Sequence, residues 1–422
     1  MNIQQHLKKP LFKRDYVDAI LKWLPDKEMI VLTGPRQSGK TSLLLYIIKH
    51  LLENKIAAET DILFYDAEDP LISDLFSSGI ENVKKELMID SAKTKQYLFI
   101  DEVHYIKDAG RLLKYLVDHH GDRLKIFISG SSSLGLSEAF KESMTGRKIV
   151  FEILPLNFGE FLEFKGSNSL RFAIRPTETK QARVLFEEFC MYGGYPRIAV
   201  ENDTEKKVEI LKEIYSSYIR KDISSFFGAE SHERFNNLVK YTAINSGQIF
   251  NINSACKALG AISRSTLERY LSVLEGTYVI KKVTPFHGNK TKEIVKMPKY
   301  YFIDNGLRNA VLNSFNPLEI RTDAGCVLET AALRQLTVQY PGRDEIKFYR
   351  TKNGLEIDFI SDTQKIRAYE VKKNGENFAQ NSVSDFIAKY KPADFTVLNL
   401  SKTGISGAFK YEYLYEFNKT PR

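Results

Sequence analysis

Along the first 150 residues, short apolar runs alternate with stretches whose apolar positions recur every three or four residues. Met29–Thr33, Ile62–Asp66, Tyr97–Asp101, Lys125–Ser129 and Lys148–Ile153 predict buried strands, with helices at Lys40–Glu53 and Arg111–His119 between them. That alternation predicts an α/β domain with a parallel sheet and helices on both faces. From about Asn157 to Leu238 strand signals fade and helical periodicity dominates, broken at Tyr192-Gly-Gly-Tyr-Pro196. From Tyr241 to Ile303 the pattern reads helix, glycine turn, helix and hairpin. Ala255, Ala258 and Leu259 are expected to face inward on the first helix, and Ser263 or Ser265 to cap the second. Leu267, Tyr270, Leu271 and Leu274 form the second helix's apolar stripe. The remainder returns to mixed α/β, with a helix at Cys326–Gln339 and strands near Ile346–Arg350, Leu355–Ile360 and Ala368–Lys372. The expected domains are therefore 1–156, 157–240, 241–303 and 304–422.

At 422 residues the chain is too long for one core, and 43% hydrophobic with 27% charged residues excludes a mainly disordered one. No run reaches the roughly 18 apolar residues of a membrane span, and residues 1–16 lack the apolar core of a signal peptide. Cys190, Cys256 and Cys326 are too scattered for a disulfide framework or a metal-ligand set. A reducing, cytoplasmic setting without a membrane is the expectation.

Two motifs carry chemistry in the first domain. Gly34, Pro35, Arg36, Gln37, Ser38, Gly39, Lys40 and Thr41 fit G-x-x-x-x-G-K-[ST] between a strand and the helix opened by Ser42. Glycines let the backbone amides turn toward a phosphate, and the helix N-terminus adds its positive end. Lys40 is expected to reach the β- and γ-phosphates of ATP, and Thr41 to contribute to Mg²⁺ binding. The second motif, Tyr97-Leu-Phe-Ile-Asp101-Glu102-Val-His104, ends a buried strand in two carboxylates. Asp101 is the expected Mg²⁺ partner and Glu102 the general base for the attacking water. On the next strand Ser129, with Ser131 as alternate, is placed to sense the γ-phosphate; a plain serine-rich turn is the other reading. Arg147 is read either as an arginine finger or as a structural cation.

Several of these stretches resemble a family. Gly34-Pro-Arg, Phe99-Ile-Asp-Glu-Val-His, Ile128-Ser-Gly-Ser-Ser-Ser-Leu134, Thr145-Gly-Arg147 and Pro155-Leu-Asn-Phe-Gly-Glu-Phe161 are similar to prokaryotic AAA-type P-loop ATPases with a C-terminal DUF4143 region. Tyr192-Gly-Gly-Tyr-Pro196, Tyr218-Ile-Arg-Lys-Asp222, Tyr301-Phe-Ile-Asp-Asn-Gly-Leu307 and Glu356-Ile-Asp-Phe359 match that region as well. The resemblance implies a P-loop ATPase domain, a helical segment, a winged helix and a restriction-endonuclease-like α/β domain.

The net charge of +8 is uneven: Lys257–Lys299 holds nine Lys/Arg against three Glu, an excess of +6. A helix-turn-helix with a basic wing is a DNA-docking unit, so Arg264, Arg269, Lys281, Lys282, Lys290 and Lys292 are candidate DNA contacts. A solvated lysine-rich hairpin or a protein-contact unit is the bland alternative. In the tail, Glu329, Asp358, Glu370 and Lys372 fall in the order used by PD-(D/E)xK nucleases. There carboxylates bind Mg²⁺ and a lysine positions water; such folds also serve as inert modules. The expected function is Mg²⁺-dependent ATP hydrolysis coupled to binding or remodelling of DNA. The alternative is a nucleotide-dependent switch or interaction protein with an inert tail. DNA is the expected partner, and self-assembly into a homo-oligomer stays open.

Overall fold

Met29–Thr33 (β1), Ile62–Asp66 (β2), Gln96–Asp101 (β3), Leu124–Gly130 (β4) and Lys148–Glu152 (β5) pair in parallel in the order β2-β3-β4-β1-β5. The computed structural model that shows this describes residues 7–8, 10–89, 94–130, 144–172, 174–218, 232–287, 297–342, 344–351 and 353–417. The chain divides into two compact units, 1–154 with 276–278, and 155–275 with 279–422.

In the first unit β1, β3 and β4 are buried along their whole length, which is why they read as continuous apolar runs. Leu43, Leu44, Ile47, Ile48 and Leu51 of helix α1 (Lys40–Glu53) pack against one face of the sheet with Ile30, Leu32, Phe99 and Phe127. Leu112, Leu113, Leu116 and Val117 of helix α2 (Ala109–His120) share a core on the other face with Val31, Leu98 and Ile128. Because β4 lies between β1 and β3, the ends of β1 and β3 flank that of β4. Ser129 is therefore set between the phosphate loop and the Asp101–Glu102 pair.

The second unit has an eight-stranded mixed sheet. Ile280–Pro285 (β6), Lys299–Phe302 (β7), Ile346–Arg350 (β8), Glu356–Ser361 (β9), Arg367–Val371 (β10), Asp394–Asn399 (β11), Gly404–Ser406 (β12) and Phe409–Tyr413 (β13) run in the order β12-β13-β11-β10-β9-β8-β6-β7. The basic hairpin is thus not separate from the tail: β6 pairs in parallel with β8 through Thr284↔Lys347 and Pro285↔Phe348. Val327, Leu328, Ala331, Ala332 and Leu336 of helix α3 (Ala324–Gln339) join Phe348, Phe359, Tyr369 and Leu398 in one core.

Two of the glycine motifs serve this unit's packing. A side chain at Gly193 (φ 76°) would stand 2.1 Å from the Asp304 carboxylate. Asp304 accepts the Gly194 amide at 2.7 Å and the Leu307 amide at 3.0 Å, capping the helix that follows. Burial pushes its carboxyl up to about 6 despite those amides. The Tyr192–Pro196 turn and the Phe302–Leu307 segment are therefore one clasp, built around a buried carboxyl.

The helix-turn-helix elements are Ile252–Ala258 and Arg264–Gly276. Asn251 caps the first by accepting the Ser254 amide, and Ser263 rather than Ser265 caps the second by accepting the Thr266 amide. Leu267, Tyr270, Leu271 and Leu274 are buried as the stripe requires. Ala258, expected inside, is exposed, because only Ala255 of that short helix points fully into the core. Among the described residues, no helix is long and apolar enough to cross a membrane.

Candidate functional site

The buried β1 strand passes into Gly34, where any Cβ would stand 2.2 Å from the Ile153 carbonyl oxygen, so no side chain fits. The loop then turns through positive φ at Gln37 (58°) and Gly39 (94°), and Gly39 opens α1 in the left-handed region that glycine adopts without penalty. Lys40 is nearly fully buried, its ammonium donating to the carbonyls of Gly34 (3.1 Å) and Pro35 (2.8 Å). The ammonium is thereby fixed inside the curl of the loop, where phosphate oxygens gather in such loops.

Asp101, at the end of β3, joins the loop to the neighbouring strand. Its Oδ2 accepts the Thr41 hydroxyl at 2.5 Å, and its Oδ1 accepts the Ser129 hydroxyl. Ser129 Oγ in turn accepts the Glu102 amide at 3.1 Å. Burial pushes the Asp101 carboxyl above its ordinary range, and the charges of Glu102 and Asp66 add to it, while the two hydroxyls oppose the rise. A carboxylate whose contacts are hydroxyls and amides, and whose ionised form is disfavoured, gains from a dication. Mg²⁺ takes oxygen ligands, so Thr41 and Asp101 fit it.

Glu102 follows with φ 51°, an uncommon conformation for a residue with a side chain, and starts the short turn Val103–Tyr105. Burial alone would raise its carboxyl. His104, whose Nδ1 lies 3.2 Å from Oε2, together with the charges of Lys40 and Arg36, instead holds it below the ordinary range. The two neighbouring carboxyls are thus pushed in opposite directions, Asp101 up by burial and Glu102 down by His104, Lys40 and Arg36.

Arg147 does not join this group. In the parallel register Met29 faces Lys148, so Arg147 stands at the edge where β1 starts, opposite the end from which the phosphate loop departs. Its guanidinium meets Asp118 at 2.5 Å and the Thr145 carbonyl at 3.2 Å. At that edge its partners are Asp118 and Thr145, and it does not reach the phosphate loop of its own chain. Ser131 lies outside the described residues.

In the second unit Glu329, Asp358, Glu370 and Lys372 are brought together. Beyond Tyr369↔Phe359 the antiparallel pair β9–β10 forks, and carboxylates fill the fork. Asp358 Oδ2 accepts the Val371 amide at 2.8 Å, and Glu370 Oε2 accepts the Asp358 amide at 3.4 Å. Lys372 Nζ holds Glu370 Oε1 at 2.6 Å, and the Tyr301 hydroxyl donates to Glu329 Oε2 at 2.8 Å. Burial first, then the Asp358 charge, raises both glutamates, Glu329 to about 8 and Glu370 to about 7.

Sequence reasoning missed three members of this cluster: Lys299, Tyr301 and Glu356. Lys299 falls within the basic run of the sequence, yet it is 1% exposed and pairs with Glu356 at 2.5 Å. Its signal is a lysine opening a strand whose other residues, Tyr300-Tyr-Phe302, are all apolar or aromatic. Among the described residues no three His, Cys, Asp or Glu groups are arranged to hold a metal ion.

Of the DNA candidates, Arg264, Arg269 and Lys282 are exposed and Lys281 is half-buried, while Lys290 and Lys292 lie outside the described residues. Arg264 pairs with Glu268 at 2.8 Å. Arg264 and Lys282, with Lys347 and Tyr300, line a cleft of about 940 Å³, where Glu275 and Asp344 also place negative charge.

Comparison with known proteins places these sites in a family. An AAA domain matches residues 26–162, a domain of unknown function, DUF8612, matches 183–318, and a further one, DUF4143, matches 324–408. An uncharacterized protein of Methanocaldococcus jannaschii is 30% identical over 350 residues, 81% of this chain and 74% of that one. The chain belongs to the AAA-type P-loop ATPases that carry a C-terminal DUF4143 region. Another relative, an uncharacterized protein of Haemophilus influenzae, is 26% identical over 304 residues, 70% of this chain and 72% of its own. Among solved structures, a Walker-type ATPase of Pyrococcus abyssi aligns with a TM-score of 0.48 at 16% identity, covering 72% of this chain and 99% of that one. The Tyr192–Pro196, Tyr218–Asp222 and Tyr301–Leu307 motifs, expected in the DUF4143 region, fall instead in the 183–318 stretch matched by DUF8612, and Glu356–Phe359 falls in the DUF4143 stretch; residues 219–222 lie outside the described residues.

Proposed function

We propose that this protein binds ATP with Mg²⁺, hydrolyses it, and couples that cycle to binding or remodelling of DNA. The observation that carries the first part is the bridge Thr41–Asp101–Ser129, which ties the phosphate loop, the acidic strand and the sensor strand into one group. The backbone N–H groups of the phosphate loop, Pro35 aside, and the Lys40 ammonium receive the phosphates. Thr41 and Asp101 would hold a Mg²⁺, which would supply positive charge against the phosphate oxygens. Glu102, kept ionised by His104, Lys40 and Arg36, orients a water and takes its proton as the water oxygen bonds to the γ-phosphorus and ADP departs. Ser129 reports the state of the phosphate through Asp101 and the Glu102 amide.

The DNA part rests on the excess of +6 between Lys257 and Lys299 and on the exposed cations Arg264, Arg269 and Lys282 of a helix-turn-helix with a hairpin. Burial of Lys299 and the pairing of Arg264 with Glu268 make that surface less basic than the sequence count. The deciding experiment is ATP turnover measured alone and with duplex, single-stranded and branched DNA, with DNA affinity followed against salt. Turnover that responds to DNA, with affinity falling steeply as salt rises, is expected. Turnover indifferent to every DNA form, with no salt-dependent affinity, would leave a nucleotide-dependent protein-interaction module.

A further inference from the structure

The fork between β9 and β10 gathers carboxylates as a divalent-metal nuclease site would, but a buried ammonium stands beside them. Lys299 arrives from β7, on the far side of the sheet order, and is buried to 1% exposure. Its Nζ meets Glu356 at 2.5 Å and stands 3.5 Å from the Tyr301 hydroxyl, the group that donates to Glu329. The charges that favour its protonated form are those of Glu329, Asp358 and Glu356 together. The carboxylate oxygens are also committed. Both oxygens of Glu370, one of Asp358 and one of Glu329 already accept hydrogen bonds from Lys372, the Asp358 amide, the Val371 amide and Tyr301.

We propose that Lys299 is the resident cation of this carboxylate cluster, and that the tail is a charge-balanced module that takes no divalent metal there. A hard dication needs several oxygen ligands free of competing cations. Here it would have to displace an ammonium that has no solvent to retreat into. Removing a buried lysine from water is costly unless anions accompany it, and here Glu356 pairs with it while Glu329 and Asp358 stand near. The chemistry of metal-assisted phosphodiester hydrolysis therefore has no place in this fork. The carboxylates instead anchor the β6–β7 hairpin to the tail sheet by charge as well as by strand pairing.

The test is Mn²⁺ binding to the full-length chain without nucleotide, counted by electron paramagnetic resonance. Wild type and Asp358→Asn should bind the same number of ions, since the fork holds none. Lys299→Met, which removes the ammonium and keeps an apolar stem, should gain a further Mn²⁺ per chain, and that ion should be lost again in Lys299→Met/Asp358→Asn. A wild type that loses an ion on Asp358→Asn would overturn the proposal. So would a Lys299→Met chain that keeps its circular dichroism and binds no additional Mn²⁺. Should Lys299→Met fail to fold, wild type against Asp358→Asn decides: equal counts support the proposal, and a lower count in Asp358→Asn overturns it.

Discussion

Asp101 and Asp358 both stand on buried strands amid other carboxylates, yet their charges are balanced by opposite means. Asp101 is surrounded by the hydroxyls of Thr41 and Ser129 and by neighbouring acids, and Lys40 spends its donors on loop carbonyls. Asp358 is surrounded by lysines, with Lys299 and Lys372 supplying the positive charge from within the protein. The first arrangement leaves room for a cation that comes and goes with a nucleotide; the second has its cations bound by the chain. Clustered acids therefore say little about metal chemistry until the nearest ammonium is located.

The largest effect that tests this contrast is on turnover. Glu102→Gln should keep ATP binding and lower hydrolysis by roughly 10²–10⁴-fold, the usual contribution of a positioned base. Lys40→Ala should weaken ATP binding itself, because Lys40 acts on ground-state phosphates. Equilibrium nucleotide binding beside steady-state phosphate release separates the two. Hydrolysis at the parent rate in Glu102→Gln would remove the base assignment.

The second effect is on stability. Lys299→Ala leaves Glu356 without the buried ammonium it pairs with, which should cost on the order of 3–5 kcal/mol. Asp101→Asn should do the reverse at the other site: activity is lost, and thermal stability is unchanged or higher, because a carboxyl with a disfavoured charge has been neutralised. Thermal melts of the two variants beside wild type decide it. A Lys299→Ala chain as stable as wild type would mean that the ammonium balances nothing.

How far each site is legible follows from how far apart its parts lie in sequence. The phosphate loop is contiguous, its first glycine is required by the close approach to Ile153, and strand and helix flank it, so Gly34–Thr41 can be read directly. Asp101, Glu102 and Ser129 are legible because each ends or follows an apolar run. Arg147 is ambiguous in sequence because it precedes a strand, and in a parallel sheet the strand starts gather at the edge away from the nucleotide. Asp358, Glu370 and Lys372 are legible from alternation along their strands and, together with Glu329 on the preceding helix, from the order that PD-(D/E)xK nucleases use. Lys299 escapes because its partners Glu329 and Glu356 lie far along the chain, and a lysine among basic neighbours reads as surface charge. The pairing of β6 with β8 is hidden for the same reason: strand order depends on pairings that no local pattern encodes.

A smaller effect is expected on the basic face. Neutralising Arg264, Arg269 and Lys282 should weaken binding to all DNA sequences alike and flatten the salt dependence by about 0.9 in slope for each phosphate no longer neutralised. ATP affinity and the thermal behaviour tied to Lys299 should not change, since neither carboxylate group has been touched. Unchanged DNA affinity would assign the hairpin to a protein partner.

The last effect lies in the pH dependence of the tail, and its sign separates burial from counter-charge. Burial and Asp358 push the Glu329 carboxyl up to about 8, while Lys299 and the Tyr301 hydroxyl pull it down. A carboxyl raised in the folded chain holds a proton that the unfolded chain gives up near its ordinary value of 4.5. Its contribution to stability is therefore complete at pH values below that and is lost as pH rises toward about 8, after which nothing more changes. Glu329→Gln carries no such proton. Its stability relative to wild type should rise steadily between about pH 5 and about pH 8, the window set by those two values, and then level off. Paired urea titrations of the two chains across that range measure the difference while cancelling every other titrating group. A flat difference across that range would mean that Lys299 and the Tyr301 hydroxyl offset burial, leaving the Glu329 carboxyl at or below its ordinary value.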